Sequence, residues 1–271
     1  MPSAKRRSRK GDYLTIATFN INNVNSRLAN LLAWLGERRP DVVCLQELKA
    51  AQSAFPAGVL RDAGYGAVWS GQKTWNGVAI LAKDGDPVLT RSTLPGDPKD
   101  TQSRYIEAAV SGLLIASIYL PNGNPQPGPK FDYKLAWFKR LIAHAGKLKR
   151  AGVPAVLAGD YNVAPTELDI YRTKSWAKDA LVQPESRAAF RKLIGGGWTD
   201  AIRTLHPDDP MYTFWDYKRN RWGRDAGLRL DHFLLTPDLA KRLVDGGVDR
   251  YVRGLDHASD HAPVWVAVKR E

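Results

Sequence analysis

Short apolar runs alternate along the chain with stretches whose apolar residues recur at helical spacing. Continuous apolar runs of this kind are typical of buried strands, whereas helical spacing predicts an amphipathic helix. The predicted strands are LTIATFNI, DVVCLQEL, GVAILA, LLIASIYL, AVLAGDYNV, LRLDHFLLT and APVWVAV, and the predicted helices are RLANLLAWLGERR, FDYKLAWFKRLIAHAGKLKR, SRAAFRKLI and DLAKRLV. This order fits an α/β protein with two layers of sheet covered by helices, although the pattern does not fix the topology.

Three of the predicted strands end in an acid or an amide. Asn20 follows TIATF, Glu47 follows VVCLQ and Asp160 follows AVLAG. Strands that are apolar throughout are buried on both faces, and their polar ends can converge at one edge of a sheet. A carboxylate such as Glu47 is well placed there to bind a hard cation such as Mg²⁺. Taken alone, however, Glu47 is better explained as an ordinary strand-end acid facing solvent.

Asp160 and Asn162 lie two positions apart in GDYNV. In an extended segment this spacing places both side chains on one face, and Gly159 lets the backbone approach a neighbour closely. An acid and an amide on one face can activate a water molecule and donate to a phosphate oxygen. The same pattern also occurs in plain turns.

Asp260 and His261 precede the last predicted strand, and Asp231 interrupts the apolar run LRLDHFLL. A histidine can exchange protons at neutral pH, although a capping acid beside a surface histidine is an equal alternative. Burial of the Asp231 carboxylate is costly unless it is paired, so we pair it with His261. His232 alternates to the opposite face and is interpreted as structural.

The chain carries 40 Lys and Arg against 28 Asp and Glu, a formal charge of +12. This surplus of positive charge favours a polyanionic partner. Charge alone does not decide whether the protein binds a nucleic acid. We predict a disordered basic tail over residues 1–12, with five basic residues in its first ten positions: Lys5, Arg6, Arg7, Arg9 and Lys10. No apolar run is long enough to span a bilayer, so we expect a soluble, cytoplasmic protein with no membrane partner.

Several common enzyme classes lack their signatures here. Cys44 is the only cysteine, which excludes an intramolecular disulfide and argues against a cysteine-based zinc site; we expect its thiol to be buried and inert. There is no G-x-x-x-x-G-K-[ST] loop and no G-x-S-x-G elbow. Together, the acids, amides and histidine favour metal-assisted hydrolysis of a phosphoester.

The segments FNIN, LQELK, IYLPNG, GDYNVAPTELDI, GLRLDHFLL and SDHAPVW occur in this order. They resemble the endonuclease/exonuclease/phosphatase superfamily, and most closely the exonuclease III family of bacterial AP endonucleases. The resemblance implies a four-layer α/β sandwich of two packed mixed β-sheets flanked by helices (DNase I-like), in a single catalytic domain over residues 13–271. Leu48, where relatives often have Thr, and Asn23, where many have Gly, depart from the pattern and leave the loop shape open.

The resemblance also implies a dependence on Mg²⁺, or Mn²⁺, with one or two ions. Glu47 looks like the principal metal ligand, with Asn20 and Asp260 completing its shell. Asp160, Asn162 and His261 look like residues that line the phosphate and correspond to a second metal position. Tyr119 and Asn122 look like a phosphate-contacting pair.

We hypothesise that Asp160 positions and deprotonates a water molecule while Asn162 and His261, with the metal, stabilise charge on the phosphate oxygens. Asp231 would orient His261, and Tyr119 or a metal-bound water would assist the leaving 3′ oxygen. Whether Asp160 or His261 is the base stays open at this point.

The expected substrate is double-stranded DNA with abasic sites or 3′ ends, cut by a monomer. The expected reaction is hydrolysis 5′ to abasic sites, with 3′→5′ exonuclease and 3′-phosphatase activity. Lys49 follows Glu47 at the place typical of the DNA-repair branch, and Arg104 can contact the backbone. The segment MYTFWDYKRNRWGRDAGLRL, which includes Trp215, mixes aromatic and basic residues suited to DNA. By family position, a pocket for a flipped, base-free sugar is lined by Phe214, Leu228 and Leu230; the alternative is a core cluster beneath a loop.

Two rival functions stay open. One is a different phosphodiesterase of the superfamily, acting on an inositol phosphate or on sphingomyelin, which the basic charge and Lys49 disfavour. The other is a catalytically dead DNA-binding protein, which would require a missing ligand. The balance between the nuclease activities depends on loop geometry that one sequence does not disclose.

Overall fold

The computed structural model describes residues 12–172 and 174–271. The predicted basic tail therefore lies outside the described residues except for Asp12. The strands are β1 (Tyr13–Asn20), β2 (Val42–Gln46), β3 (Tyr65–Ser70), β4 (Val78–Lys83), β5 (Val88–Arg91), β6 (Tyr105–Val110), β7 (Leu113–Tyr119), β8 (Ala155–Asp160), β9 (Thr199–Asp200), β10 (Asp231–Leu235), β11 (Leu243–Val248) and β12 (Val264–Lys269). They form two six-stranded sheets, in the orders β11-β12-β1-β2-β4-β3 and β5-β6-β7-β8-β10-β9.

In the described part of the chain, four helices cover the outer faces of the two sheets, and the last two helices pack against the core between the sheets. They are α1 (Leu28–Arg38), α2 (Ala57–Asp62), α3 (Pro129–Arg150), α4 (Pro184–Gly195), α5 (Ala201–Leu205) and α6 (Pro237–Ala240). Trp34 of α1 is buried against the β1-β2-β4 side of the first sheet, and Trp137 of α3 is buried against the second sheet. A separate apolar core lies between the two sheets. The predicted four-layer α/β sandwich, with mixed parallel and antiparallel sheets, is therefore confirmed.

Cys44 lies in the core between the sheets and is fully buried. Burial raises the pKa of its thiol well above the ordinary range, so the thiol stays protonated. The expectation of a buried, inert cysteine is confirmed. Among the described residues, no helix combines the length and the apolar character that crossing a membrane requires.

All seven predicted strands are present, but the predicted helix DLAKRLV is wrong over its second half. The helix α6 ends at Ala240, and Leu243 begins β11. Leu243 pairs with Val268 of β12 in an antiparallel ladder, so tertiary pairing overrides the local helical pattern. Strand β10 also begins later than predicted, at Asp231, and Leu228 forms only isolated bridges.

Strand register brings the polar strand ends together. Asp160 pairs with Tyr119 on one side and with Asp231 on the other, while Asn20 pairs with Gln46, the residue before Glu47, in the other sheet. Gly159 has φ +150°, and a Cβ there would lie 1.9 Å from the carbonyl oxygen of Ile118. Only glycine allows this close approach of β7 and β8 beneath Asp160.

Candidate active site

Asp160 lies at the centre of the convergent strand ends and is buried. Its Oδ2 accepts hydrogen bonds from the side-chain amides of Asn20 (3.0 Å) and Asn162 (3.2 Å), and its Oδ1 accepts from the backbone N–H of Asn162 (2.8 Å). Burial raises the pKa of Asp160 to about 7, although the neighbouring His261 opposes this rise. A carboxyl group with such a pKa can exchange a proton near neutral pH.

His261 is held by a second buried acid. Its Nδ1 lies 2.8 Å from Oδ2 of Asp231, and its Nε2 lies 3.8 Å from Oδ2 of Asp160. Thr213 also donates its hydroxyl to Asp231, at 2.6 Å. Burial lowers the pKa of His261, but Asp231 outweighs burial and the pKa rises to about 10, so the imidazole is positively charged near neutral pH. The predicted pairing of Asp231 with His261 is present.

His232 is directed away from this site, as the strand alternation predicts. Its Nε2 lies 3.0 Å from the carbonyl oxygen of Val163, and its ring packs against Tyr161 and Phe190. This is a structural environment, in agreement with its interpretation from the sequence.

Glu47 follows β2 with a left-handed backbone conformation (φ 51°). Its Oε1 accepts from the Asn20 amide at 2.9 Å, and its Oε2 lies 2.8 Å from the Lys49 ammonium. Burial raises the pKa of Glu47, but Lys49 and Asn20 together hold it below its ordinary value. The charge of Glu47 in turn contributes, after burial, to raising the pKa of the neighbouring Tyr119. Glu47 is therefore an ionised carboxylate at the sheet edge.

Asn22 was missed by the sequence analysis. Its Oδ1 accepts from the Lys49 ammonium at 2.6 Å, and its Nδ2 donates to Oδ1 of Asp260 at 2.9 Å. It thus connects Glu47, through Lys49, with Asp260. The signal was present: Asn22 follows Asn20 at the two-residue spacing that singled out Asp160 and Asn162.

The donor set of this site suits a hard cation. Within the described part of the chain, no three His, Cys, Asp or Glu side chains form a ready-made metal group. However, the Lys49 ammonium lies against the Glu47 carboxylate and the Asn22 amide oxygen, so these oxygens already hold a positive charge. Divalent ions such as Mg²⁺ prefer such oxygen ligands. Asn20 directs its amide nitrogen at Glu47 and Asp160, an arrangement that orients the two carboxylates.

A buried lysine, also missed, supports the amide side of the site. Lys134 donates to the carbonyl oxygens of Asn122 (3.0 Å), Asn162 (2.6 Å) and Ala180 (3.2 Å). The Asn122 side chain in turn donates to Oδ1 of Asn162, at 3.1 Å. The signal was a lysine on the apolar face of α3, three residues before the buried Trp137. Lys134 thus fixes two loops that carry predicted phosphate contacts.

The residues predicted to contact the substrate lie in two places, with Arg104 beside Tyr119 and Phe214 beside His261. The guanidinium of Arg104 lies 4.7 Å from the ring centre of Tyr119. Phe214 is half-buried, with its ring centre 5.0 Å from that of His261. Leu228 and Leu230 are buried in an apolar cluster that Phe214 packs against. This cluster borders the site. Its position fits a pocket for a base-free sugar and fits a core cluster beneath a loop equally well.

Trp215 is fully buried, and its indole N–H donates to Asp225 at 3.0 Å. The guanidinium group of Arg250 packs over the Trp215 ring. The guanidinium group of Arg253 donates hydrogen bonds to the Trp215 carbonyl oxygen. Trp215 therefore anchors the loop that follows it. A direct contact of Trp215 with DNA stays a prediction, which this burial does not support.

The sequence model of the endonuclease/exonuclease/phosphatase family matches residues 17–261. Exodeoxyribonuclease III of Haemophilus influenzae is 34% identical over 264 residues, which cover 93% of this chain and 98% of that protein. A solved AP endonuclease from Archaeoglobus fulgidus has a TM-score of 0.89 and 36% identity, covering 95% of this chain and 100% of that one. A solved 3′ phosphatase from Neisseria, bound to a product DNA hairpin, has a TM-score of 0.88 and 39% identity, covering 93% of this chain and 98% of that one.

The family match spans most of the chain, and it includes every residue of the site from Asn20 to His261. The relatives carry nuclease names and are matched over nearly their full length. The chain therefore belongs to the endonuclease/exonuclease/phosphatase family and, within it, to the exonuclease III family of bacterial AP endonucleases, which are divalent-metal-dependent nucleases.

Proposed function

We propose that the protein hydrolyses the phosphodiester bond 5′ to an abasic site in duplex DNA, and also acts at DNA 3′ ends as a 3′→5′ exonuclease and 3′-phosphatase. One observation carries this proposal. The buried carboxyl group of Asp160 lies 3.8 Å from Nε2 of His261, whose ring packs against the half-buried Phe214. The Asn20 amide joins Asp160 to Glu47 at the same edge. A hydrolytic centre next to an apolar surface suits a phosphate joined to a bare sugar.

The proton affinities support Asp160 as the base. Its pKa of about 7 leaves much of it ionised near neutral pH, so it can take a proton from the attacking water. His261, with a pKa of about 10, already carries its proton. It is therefore suited to donate a hydrogen bond to a phosphate oxygen, with Asp231 holding its orientation. In this assignment, the water oxygen bonds to phosphorus as the bond to the 3′ oxygen breaks.

The amides and Tyr119 support the remaining roles. Asn122 and Asn162 are joined by a hydrogen bond, and Lys134 fixes both backbones, so their side chains can line the phosphate. Burial raises the pKa of Tyr119 well above its ordinary value. Its phenol therefore keeps its proton at neutral pH and can donate it toward the leaving 3′ oxygen.

We propose one bound Mg²⁺, or Mn²⁺, held by Glu47 and Asp260, with Asn20 orienting Glu47. When bound, the ion would offset negative charge on the phosphate oxygens. A second ion at Asp160, Asn162 and His261 is disfavoured because Asn162 directs its amide nitrogen, and not its oxygen, at Asp160, whereas hard cations bind amide oxygens. The site is complete within one chain, which supports action as a monomer; the cytoplasmic location stays a prediction.

Incision of a labelled duplex with one tetrahydrofuran abasic analogue tests the proposal, with an intact duplex as the matched control, in Mg²⁺ and in EDTA. Metal-dependent cutting 5′ to the lesion is the expected result. Shortening of the intact duplex from its 3′ end would make the exonuclease a main activity. Cutting of neither duplex, with turnover of an inositol phosphate or sphingomyelin, would contradict the proposal.

A further inference from the structure

A cavity of about 550 Å³ lies beside the active site. Tyr119 and Asn122 form part of its wall, so it adjoins the place proposed for the scissile phosphate. Trp75, Asn76 and Arg104 also line it. None of the catalytic steps above uses this space.

One oxygen atom in the cavity wall has no hydrogen-bond partner. Asn76 is 5% exposed, and its Oδ1 is buried without a partner among the described residues. Its Nδ2 faces the side-chain oxygens of Gln72 (3.0 Å) and Gln102 (3.5 Å). Those oxygens are fixed as acceptors by the backbone N–H of Ser103 and by Arg104.

The orientation of the Asn76 amide is therefore determined, because rotating it would place its oxygen against two other acceptors. A buried acceptor without a donor costs free energy, and such groups in native proteins call for an explanation. A ligand that brings an N–H or O–H group into the cavity would satisfy this oxygen.

The cavity also presents an aromatic surface to solvent. Trp75 is 67% exposed, an unusual position for the largest apolar side chain. The Lys49 ammonium lies 5.5 Å from its ring centre. Arg104 and the exposed Lys130 line the same cavity. An exposed indole beside cations matches the chemistry that holds a base and its phosphate.

We propose that this cavity binds one base-bearing nucleotide of the duplex that flanks the scissile phosphate. Trp75 stacks on its base, Asn76 Oδ1 accepts a hydrogen bond from it, and Arg104 and Lys130 contact its phosphate. The inference rests on the proposed function, because Tyr119 and Asn122 connect the cavity to the cleaved phosphate. The nucleotide belongs either to the cleaved strand or to its complement.

Binding of duplex DNA in EDTA, followed by fluorescence anisotropy, tests the stacking contact without cleavage. Trp75→Ala is expected to raise Kd by about tenfold or more, and Trp75→Phe to recover most of this loss. Leu89→Ala removes an exposed apolar side chain from β5, outside the cavity, and is expected to bind as the wild type does. Unchanged binding by Trp75→Ala would overturn the proposal.

Base deletion in the DNA identifies the bound nucleotide. Single base-free nucleotides are placed on either side of the cleaved phosphate and at the facing positions of the complement. At the bound position, deleting the base weakens binding by the wild-type protein as much as the Trp75→Ala substitution does. The same deletion does not weaken binding by the Trp75→Ala variant any further. If, at every position, base deletion weakens binding by Trp75→Ala by the same factor as it weakens wild-type binding, then Trp75 stacks on none of these bases. That result would overturn the proposal.

A third comparison addresses Asn76. At the identified position, replacing adenine by purine removes the exocyclic amino donor, and wild-type affinity is expected to fall about threefold to tenfold. Asn76→Gly, which tolerates the positive φ of 64°, is expected to bind both duplexes equally. If the wild type and Asn76→Gly prefer adenine over purine by the same factor, the proposed hydrogen bond to Asn76 would be contradicted. Because these measurements exclude metal, failure of the wild type to cut abasic DNA in Mg²⁺ would overturn the proposed function separately.

Discussion

In the active site, the carboxyl group of Asp160 and the imidazole of His261 differ in how readily they hold a proton. Burial raises the pKa of Asp160 to about 7, whereas Asp231 raises that of His261 to about 10 against the effect of burial. Near neutral pH, the first group can accept a proton and the second can only donate one. These shifts support Asp160 as the base, an assignment that the sequence left open.

Asp160→Asn is therefore expected to lower kcat for incision by about 100-fold or more, because the amide cannot accept the proton of water. Binding of abasic duplex in EDTA should change little, since the amide has nearly the same shape. Single-turnover incision and anisotropy measure the two effects. Asp238→Asn, at an exposed acid on α6, is the control, and near-normal turnover by Asp160→Asn would remove its catalytic role.

At the residue scale, the sequence analysis predicted the contact between Asp231 and His261 and missed the contacts of Asn22 and Lys134, which depend on the tertiary structure. A carboxylate in an apolar run needs a partner, and that rule alone paired Asp231 with His261. Asn22 lies in a turn with φ 48°, so its two-residue spacing from Asn20 marks it as a candidate but does not give its contacts with Lys49 and Asp260. Lys134 bonds carbonyl oxygens from three separate segments, which no local pattern brings together.

At the scale of elements, Lys134 joins α3 to the loops after β7 and β8. Lys134→Met keeps the length of the side chain but removes a donor from three carbonyl oxygens. Of these, the Ala180 oxygen keeps the Ser186 hydroxyl as a second donor. We expect it to lower the free energy of unfolding in urea by about 2 kcal/mol. Lys139→Met changes an exposed residue on the same helix and should have little effect. Equal stability of the two variants would show that this contact does not hold the loops.

Arg229 performs a similar task for the segment that carries Leu228 and Leu230. It is buried, with Nε 2.7 Å from Asp169 and Nη1 2.8 Å from Asp200. It therefore ties the segment to β9 and to the turn that contains Asp169.

Arg229→Met should lower the free energy of unfolding by about 3 to 5 kcal/mol, because it leaves buried carboxylates short of a partner. Arg61→Met breaks an exposed ion pair with Asp86 and should cost about 1 kcal/mol or less. Urea denaturation compares the two variants. A loss at Arg229 no larger than that at Arg61 would contradict this role.

Seven of the twelve described strands were predicted, because a continuous apolar run is a local property. Three of the differences have identifiable causes. All four residues of β5 are exposed, so no apolar pattern marks that strand. In β6, the buried Glu107 interrupts the run and is satisfied by Tyr105, His144 and Thr90. The helix predicted at DLAKRLV gave way to pairing with β12.

At the scale of the whole molecule, the fold is expected to lose stability in acid because of His232. Burial and the nearby Arg229 lower the pKa of His232 to about 4, against the opposing effect of Asp200. The unfolded chain binds a proton there below about pH 6.5, and the folded protein does so only below about pH 4.

Stability should therefore fall as the pH drops from about 6.5 to about 4, with roughly 3 kcal/mol arising from this group. His232→Gln, which cannot titrate, should flatten that part of the profile. Urea denaturation at a series of pH values measures it, with His257→Gln, at an exposed histidine, as the control. Profiles of equal slope for wild type and His232→Gln would contradict the prediction.

Identification of the DNA ends left by the wild-type protein tests the central claim most directly. An abasic duplex is incubated with Mg²⁺, and the upstream fragment is then offered to a DNA polymerase. Hydrolysis at the proposed site breaks the bond to the 3′ oxygen, so the account predicts a fragment ending 5′ to the lesion with a 3′ hydroxyl that the polymerase extends. A fragment that cannot be extended, or one that forms equally in EDTA, would contradict metal-dependent hydrolysis 5′ to the abasic site.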